Sequence, residues 1–374
     1  SAKILREIPW YLATGDYSVG LVLGGYRVEG PEWDVHIKCN SCQGEAKAER
    51  RMYNGRPTVF VNGEPLPFFT YSCSVYSPGN VGMFGKAGVN PVGVEVPAGS
   101  HLSKLWEDTL IAPDTYDYSS VDELVGIALQ ENPDAYIMLR TYPTMPSWWW
   151  QENPDEQAMI MTNDGRVVPW EENGMPAPSL ASDKWLEAQV ETIRDLIDYV
   201  KSQPWGSRVI GLHVTGGATM EWFAWGSMTG GDVGADFNPQ NQAKFKQWLI
   251  DNGYEVDTDN PVPGLQERLG NGEDILPDDE KSVIAAAYSK YYSDLLESVL
   301  NRFARVIKEE TDGNYLVGTF YGYLLQESGG SRQALCYSLA ELGDILENPD
   351  IDYVGGVPLH NYRSLDGYDT FTTV

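Results

Sequence analysis

The sequence predicts an α/β protein, an incomplete (β/α)8 TIM-type barrel that follows a small N-terminal β element. Three observations support this fold class. The chain has 374 residues, which is more than one average domain but suits a large barrel with an appendage. After residue 55, strand-like segments alternate with helical ones, as is typical of a parallel α/β sheet. Several of the strand-like segments are continuous apolar runs, as expected of strands that are covered on both faces.

The first element is a β-rich segment over residues 1–55. It is rich in Gly, and β-forming residues alternate with other residues at 17–23 and 34–38, which predicts a small antiparallel unit. The pair Asn54-Gly55 is a turn signal. We therefore expect an N-terminal β element over 1–55 and a barrel domain over 56–374.

The barrel domain contains six strand candidates and the helices that connect them. The strands are predicted at 67–75, 89–96, 134–142, 208–215, 315–323 and 351–358. Between the third and the fourth, Ser182 is the predicted N-cap of an amphipathic helix, whose apolar residues recur at 4-3-4-3 spacing: Leu186, Val190, Ile193, Ile197 and Val200. Helical patterns on either side of a loop at 255–280, rich in Pro, Gly and Asp, separate the fourth strand from the fifth.

Six βα units leave an eight-fold barrel unfinished. An open barrel exposes two unpaired sheet edges, which favour aggregation. Either the first 55 residues help to close the sheet, or the natural polypeptide continues past Val374. We expect the second, because the last residues resemble the middle of a loop. On this expectation the barrel domain is truncated after its sixth strand.

The charge of the chain limits its partners. The formal net charge is −28, from 26 basic and 54 acidic residues. This excess of negative charge argues against nucleic acid and anionic membrane surfaces as partners. It suits salty or extracellular surroundings, where ions screen self-repulsion, so we expect a secreted or periplasmic protein. No run of 18 apolar residues is present, so no membrane span is predicted. Self-association into a homo-oligomer stays open.

The cysteine spacing does not make a metal site. The four cysteines are Cys39, Cys42, Cys73 and Cys336. The first two form a C-x-x-C pair, but a tetrahedral zinc site needs two further ligands, and only His36 lies close in the sequence. We therefore expect neither a metal nor a cofactor. A local disulfide and two free thiols both fit the C-x-x-C pair.

Reactive groups in barrels of this type lie at the C-terminal ends of the strands. The third strand ends at Arg140, whose fixed positive charge would orient a carboxylate or a sugar hydroxyl, with a structural ion pair as the alternative. The following loop carries three consecutive tryptophans, 148–150, which cannot all face one core. Because the C–H faces of sugars pack on indole rings, we expect Trp148 and Trp149 to form a stacking surface for a carbohydrate.

A single carboxylate, Glu221, follows the fourth strand within an aromatic segment that contains Trp222, Phe223 and Trp225. The pair Gly216-Gly217 would let the backbone bend tightly, so that the carboxylate faces the mouth of the barrel. Aromatic neighbours would then desolvate the carboxyl group and raise its pKa, as a general acid near neutral pH requires. The alternative is a surface glutamate beside core aromatics.

Other strand ends carry side chains that commonly bind hydroxyl groups. His213 lies at the end of the fourth strand, Tyr323 at the end of the fifth, and His360, Asn361 and Tyr362 follow the sixth. A single histidine is more often structural, so the prediction depends on the set. The predicted substrate-binding residues are Arg140, Trp148, Trp149, His213, Trp222, Tyr323, His360 and Tyr362, with Glu221 as the predicted catalytic residue.

The chain resembles the clan of retaining glycoside hydrolases built on (β/α)8 barrels, and most of all the β-galactosidase families 42 and 35. The resemblance covers about residues 57–370. It rests on the order and spacing of several segments: VFVNGEPL (59–66), AGVNPVGVEV (87–96), NPDAYIMLR (132–140), PSWW (146–149), NPD (153–155), NDGR (163–166), FKQWL (245–249) and NPDIDYVGGVP (348–358).

The resemblance implies a retaining glycosidase that cleaves β-linked, galactose-containing glycans and takes an oligo- or polysaccharide as its substrate. Glu221 corresponds to the acid/base of the family. Four further residues correspond to its sugar pocket: Arg140, Tyr323, His360 and Tyr362.

Two departures from the family pattern leave alternatives open. The family has Asn immediately before the acid/base, where this chain has Met220. The family nucleophile ends the seventh strand, and neither Glu95 nor Glu327 occupies that position, so no nucleophile is assigned. One alternative is therefore a barrel that binds carbohydrate without cleaving it. The acidity and the tryptophan segment also fit an endo-acting hydrolase of marine polysaccharide, such as agar or carrageenan.

Overall fold

The structure of the chain is a computed structural model. It describes residues 11–12, 15–20, 22–23, 26–28, 30, 32–37, 46–68, 70, 78–96, 109–142, 145–162, 164–172, 175–216, 222, 231–232, 234–264, 267–268, 282–321 and 341–355.

The strands and helices of the described residues have the following bounds. The strands up to residue 96 are β1 (Gly15–Val19), β2 (Val22–Leu23), β3 (Tyr26–Arg27), β4 (Trp33–Ile37), β5 (Ala48–Tyr53), β6 (Arg56–Val61), β7 (Glu64–Leu66) and β8 (Val92–Val96). The later strands are β9 (Leu110–Ala112), β10 (Thr115–Tyr116), β11 (Ile137–Thr141), β12 (Met159–Thr162), β13 (Val167–Pro169), β14 (Glu171–Glu172), β15 (Met175–Pro176), β16 (Val209–Val214), β17 (Gly231–Asp232), β18 (Leu316–Phe320) and β19 (Tyr353–Gly355). The α-helices are α1 (Pro78–Lys86), α2 (Ser119–Glu131), α3 (Ser147–Glu152), α4 (Asp183–Ser202), α5 (Pro239–Asp251), α6 (Ser282–Glu310) and α7 (Leu342–Glu347), and single 3₁₀ turns lie at Pro154–Glu156 and Gly206–Arg208.

A parallel five-stranded sheet forms the centre of the fold, in the order β19-β18-β16-β11-β8. Its strands follow one another in chain order without a reversal, which is the winding of a barrel and differs from a doubly wound sheet. The chain is thus mixed α/β, with a sheet compatible with part of a TIM-type barrel. Within the described residues the sheet does not close, and the (β/α)8 barrel, truncated after its sixth strand, remains a prediction.

Five of the six predicted strands are confirmed. They correspond to β8, β11, β16, β18 and β19. The remaining candidate, 67–75, lies largely outside the described residues, and its described positions 67, 68 and 70 belong to no strand. The confirmed strands are the apolar runs with Val, Ile and Leu, because both of their faces are covered.

One face of the central sheet packs against helices. Strand residues such as Val94, Leu139 and Leu212 share a buried cluster with residues of α2, α4 and α6. Helix α4 shows why the sequence forms this layer: Oγ of Ser182 accepts a hydrogen bond from the backbone N–H of Trp185 at 2.9 Å, which confirms the predicted N-cap. The apolar side chains spaced along α4 then point at the sheet. In the described part of the chain, no helix is both long enough and apolar enough to cross a membrane.

The opposite face is covered near the strand N-termini by an antiparallel sheet of β5, β6 and β7. Ala48 and Val61 pack there with Met138 and Leu316 of the central strands. The backbone N–H of Ala48 donates to the carbonyl oxygen of Asn314 at 2.8 Å. The antiparallel sheet therefore covers this face, the inner face of the central sheet, near the N-terminal ends of its strands. Other side chains occupy the inner face near the C-terminal ends of the strands.

The N-terminal strands are antiparallel, as their alternating pattern predicts. Strand β1 pairs with β4, and β2 pairs with β3. Strands β5 and β6 pair with each other around Asn54-Gly55, the turn at which we place the domain boundary. The division into an element at 1–55 and a barrel domain at 56–374 remains a prediction.

A second buried cluster joins the segment after α3 to α5, and Asp236 organises it. One carboxylate oxygen of Asp236 accepts hydrogen bonds from the backbone N–H groups of Met159 and Asn238, and the other accepts from the hydroxyl of Ser179 at 2.5 Å. Burial raises the pKa of Asp236 to about 6, although these hydrogen bonds oppose the shift. The buried carboxylate holds the chain between α3 and α5 in place.

We expect Asp236→Asn to remove part of the pH dependence of folding. An aspartate whose pKa is higher in the folded state holds a proton that the unfolded chain has lost, so stability falls as the pH rises from about 4 to about 6. The wild type should lose on the order of 3 kcal/mol more than the variant over this interval. Urea unfolding of both proteins at several pH values measures the difference. Parallel pH profiles would contradict the assignment.

Candidate functional site

A row of side chains crosses the central sheet on its inner face. The strand registers pair Glu95 with Arg140, Arg140 with His213, His213 with Gly318, and Gly318 with Tyr353. Residues at matching positions of neighbouring strands share one face of a sheet. The residues that alternate with them, such as Val94 and Leu139, pack against the helices. The side chains of Glu95, Arg140, His213 and Tyr353 therefore lie side by side on the inner face of the sheet.

Glu95 and Arg140 form a buried ion pair within this row. Nη1 of Arg140 lies 3.4 Å from Oε1 of Glu95, and both side chains are at most 10% exposed. The guanidinium also lies over the ring of Phe320, with its central carbon 5.4 Å from the ring centroid. Burial raises the pKa of Glu95, and the charge of Arg140 opposes this shift. The alternative that the sequence left open for Arg140, a structural ion pair, is therefore present.

His213 stands next to Arg140 and contacts Tyr353. Its Nδ1 lies 2.9 Å from the hydroxyl oxygen of Tyr353, and its ring meets that of Phe320 edge to face with centroids 4.4 Å apart. Burial lowers the pKa of His213 well below its ordinary value, and the nearby charge of Arg140 lowers it further. The imidazole is therefore neutral at physiological pH, and it can donate through one nitrogen and accept through the other.

Tyr353 reaches His213 because the strand between them has a glycine in the row. A Cβ atom on Gly318 would lie only 2.0 Å from Cζ of Tyr353, so the phenol ring occupies the space that a side chain at 318 would fill. Burial raises the pKa of the Tyr353 hydroxyl, which keeps its proton at all ordinary pH values. Tyr353 was not among the residues predicted from the sequence, since only the register of β18 and β19 reveals that it faces His213.

The position of Trp222 differs from our prediction. The sequence suggested that its ring would form a wall of the ligand site. Instead the side chain is 6% exposed and belongs to the cluster between sheet and helices. Its Nε1–H donates to Oγ1 of Thr319 at 3.0 Å, and its ring lies over Gly216, where a Cβ atom would come within 2.1 Å. The indole packs in the core because its polar atom finds an acceptor there and the glycine makes room for the ring.

The structure of the tryptophan segment, residues 148–150, also differs from our prediction. Residues 148–150 were predicted to lie on a loop, but they belong to α3. Trp149 and Trp150 are buried, and Nε1–H of Trp150 donates to the carbonyl oxygen of Met145 at 2.9 Å. Trp149 is 6% exposed, so its ring packs in the core and does not form the exposed stacking surface that we predicted. Trp148 is half-buried, and its Nε1–H donates to the carbonyl oxygen of Leu110.

The other predicted site residues lie outside the described residues. These are Glu221, Tyr323, His360 and Tyr362, together with Glu327, Asn361 and the four cysteines. Their roles remain predictions. What the structure describes at this end of β16 is Trp222, the residue that follows Glu221: its backbone N–H donates to the carbonyl oxygen of Gly216 at 2.8 Å, and its φ is +61°.

One acidic cluster lies outside the row. Asp294, Glu297 and Glu341 place carboxylate oxygens within 4.8 Å of one another. The ammonium group of Lys290 already contacts two of them, Asp294 at 2.5 Å and Glu341 at 2.7 Å. Because this cation balances the carboxylates, the cluster is explained as a salt-bridge network, and we assign it no metal.

The fold is similar to that of two solved enzymes. One is a β-galactosidase from the psychrophilic Marinomonas ef1, with a TM-score of 0.50 and 12% identity over 77% of this chain and 40% of that chain. The other is a β-galactosidase from Bacillus circulans sp. alkalophilus, with a TM-score of 0.51 and 15% identity over 80% of this chain and 40% of that chain. This chain therefore has a glycoside hydrolase-like fold and spans about 40% of the length of either enzyme. The sequence matches no protein-family model and no curated protein.

Proposed function

We propose that the chain is part of a retaining glycoside hydrolase that cleaves β-linked, galactose-containing glycans. The observation that carries the proposal is the row of buried Glu95, Arg140 and His213 and half-buried Tyr353 on the inner face of the sheet. Burying a charged pair and a histidine is costly, so a core at this depth would ordinarily be apolar. Polar groups at the C-terminal part of barrel strands suit a polar ligand such as a sugar. The similarity in fold to two β-galactosidases supports this choice of ligand.

The residues would divide the chemistry as follows. Glu221 would protonate the leaving oxygen of the glycosidic bond and then activate the water that completes hydrolysis. Arg140 and His213 would hold sugar hydroxyl groups, with Glu95 fixing the guanidinium. Tyr323, His360 and Tyr362 are proposed to complete the sugar pocket, and Trp148 to stack on a neighbouring sugar. The nucleophile of the retaining reaction is not assigned.

The remaining proposals follow from the same assignment. The partner is an oligo- or polysaccharide, and neither nucleic acid nor a membrane is a proposed partner. The acidic composition suits a secreted or periplasmic enzyme, because ions in salty or extracellular surroundings screen the self-repulsion of the chain.

The proposed function is tested with matched chromogenic glycosides. The polypeptide that carries this chain is incubated with 4-nitrophenyl β-D-galactopyranoside and with its α-anomer, and release of nitrophenol is followed. We expect release from the β-anomer alone, with the β-configuration kept in the first product. Saturable binding of galactosides without hydrolysis would support the carbohydrate-binding alternative. A polypeptide that neither binds nor hydrolyses any β-galactoside would overturn the proposal.

A further inference from the structure

The two ring nitrogens of His213 have different surroundings. Nδ1 is 2.9 Å from the hydroxyl oxygen of Tyr353. Nε2 is buried and has no hydrogen-bond partner in the part of the chain that the structure describes. The residue itself is 5% exposed. A buried polar atom without a partner costs free energy, and a water molecule, an ion or a ligand atom that pairs with it removes this cost.

The hydrogen-bond count decides which nitrogen carries the proton. A neutral imidazole has one N–H and one acceptor nitrogen. If Nδ1 accepts, the phenol hydrogen of Tyr353 has its partner and only the Nε2–H remains unpaired. If Nδ1 donates, the phenol hydrogen and Nε2 both lack partners, because the hydroxyl of Tyr353 makes no second hydrogen bond among the described residues. The first arrangement leaves one unsatisfied group where the second leaves two.

The packing shows that this contact is built into the sheet. Tyr353 lies two strands away from His213 and reaches it only across Gly318. A side chain at 318 would collide with the phenol ring, since the Cβ atom would be 2.0 Å from Cζ. The ring of Phe320 packs against the imidazole from another side, with centroids 4.4 Å apart. Both rings therefore hold the imidazole in one orientation.

We infer that Tyr353 is a positioning residue: its hydroxyl donates to Nδ1 of His213 and holds the imidazole as the Nε2–H tautomer, so that His213 presents a single N–H donor to an oxygen of a bound sugar. This inference deepens the proposed function and rests on it for the identity of the ligand. The tautomer itself depends only on the contacts described above.

The tautomer is measured by two-bond ¹H–¹⁵N correlation spectra of the imidazole rings. The chain has four histidines, and the spectrum of His213→Gln identifies the signals of residue 213. We expect protonation at Nε2 in the wild type and a loss of this preference in Tyr353→Phe, which keeps the ring over Gly318 but removes the hydroxyl. Tyr136→Phe is the matched control, since Tyr136 packs against the same buried cluster as Tyr353 but its hydroxyl is not hydrogen-bonded to either ring nitrogen of His213, so the tautomer should be unchanged.

A second variant disturbs the same contact from the other side. Gly318→Ala keeps the hydroxyl of Tyr353 but displaces its ring, so the tautomer preference should weaken as in Tyr353→Phe. Near-ultraviolet circular dichroism confirms that each variant is folded. Protonation at Nδ1 in the wild type, or an unchanged Nε2–H in folded Tyr353→Phe, overturns the inference.

Binding of a sugar tests the ligand separately. Titration with methyl β-D-galactopyranoside should shift the Nε2–H signal of the wild type. In Tyr353→Phe we expect affinity to fall by about 3- to 10-fold, the range of one hydrogen bond. If Tyr353 sets the tautomer but the sugar causes no shift of the Nε2–H signal, the sugar is not the ligand and the proposed function is overturned. The role of Tyr353 in positioning His213 would then stand.

Discussion

Replacing Glu221 with glutamine is expected to lower kcat on an unactivated β-galactoside by about 10²- to 10⁴-fold, the usual contribution of general acid–base catalysis. Glutamine has nearly the shape of glutamate but cannot give its proton to the leaving oxygen. Substrates with a good leaving group need less protonation, so the first step on 4-nitrophenyl galactoside should suffer less than cleavage of lactose. The comparison of these two substrates is the measurement.

The control is Glu171→Gln, which alters an exposed glutamate in the two-stranded sheet of β14 and β15, outside the central sheet. Its rates should match those of the wild type. Binding of methyl β-D-galactopyranoside should also survive in Glu221→Gln, because the proposed sugar contacts of Arg140 and His213 are unchanged. If Glu221→Gln hydrolyses lactose at nearly the wild-type rate, Glu221 is not the acid/base.

Arg140→Met should lower the free energy of unfolding by about 3–5 kcal/mol, the usual cost of removing one partner of a buried pair. The substitution leaves the carboxylate of Glu95 buried without its cation. Burial already raises the pKa of Glu95, and the opposing effect of Arg140 disappears in the variant. In the folded variant the carboxyl group of Glu95 therefore keeps its proton to higher pH than in the unfolded chain. The free energy of unfolding should then fall as pH rises above about 4. Urea unfolding across pH measures both effects.

Two controls separate burial of the charge from the loss of packing. The double variant Glu95→Gln with Arg140→Met removes both charges and should regain much of the lost stability. Arg302→Met breaks a more exposed pair with Glu187, with 3.2 Å between Nη2 and Oε2, and should cost less than about 1 kcal/mol. Equal losses for Arg140→Met and for the double variant would show that Glu95 is not the reason for the loss.

The central strands and their helices could be predicted because their signals are local. Short segments rich in Val, Ile, Leu and Met mark β8, β11 and β16, and a serine followed by spaced apolar residues marks α4. Each signal needs only neighbours in the sequence. The alternation of these strands and helices predicted a parallel α/β sheet.

The burial of aromatic side chains could not be predicted in the same way. Trp149 and Trp222 were candidates for a ligand surface because the composition of their segments suits one. Whether an indole ring faces a ligand or the core depends on whether the folded chain offers space for the ring in the core. For Trp222, Gly216 provides this space. That partner is a property of the folded chain.

The sequence by itself determined the α/β class, the order of the parallel strands and the positions of Arg140 and His213 at strand ends. Only the tertiary structure decided that Glu95 pairs with Arg140 and that Tyr353 meets His213 across Gly318. Local periodicity fixes which face of a strand a residue takes. It does not fix the register between strands, which depends on how the chain between His213 and Tyr353, 140 positions apart, packs.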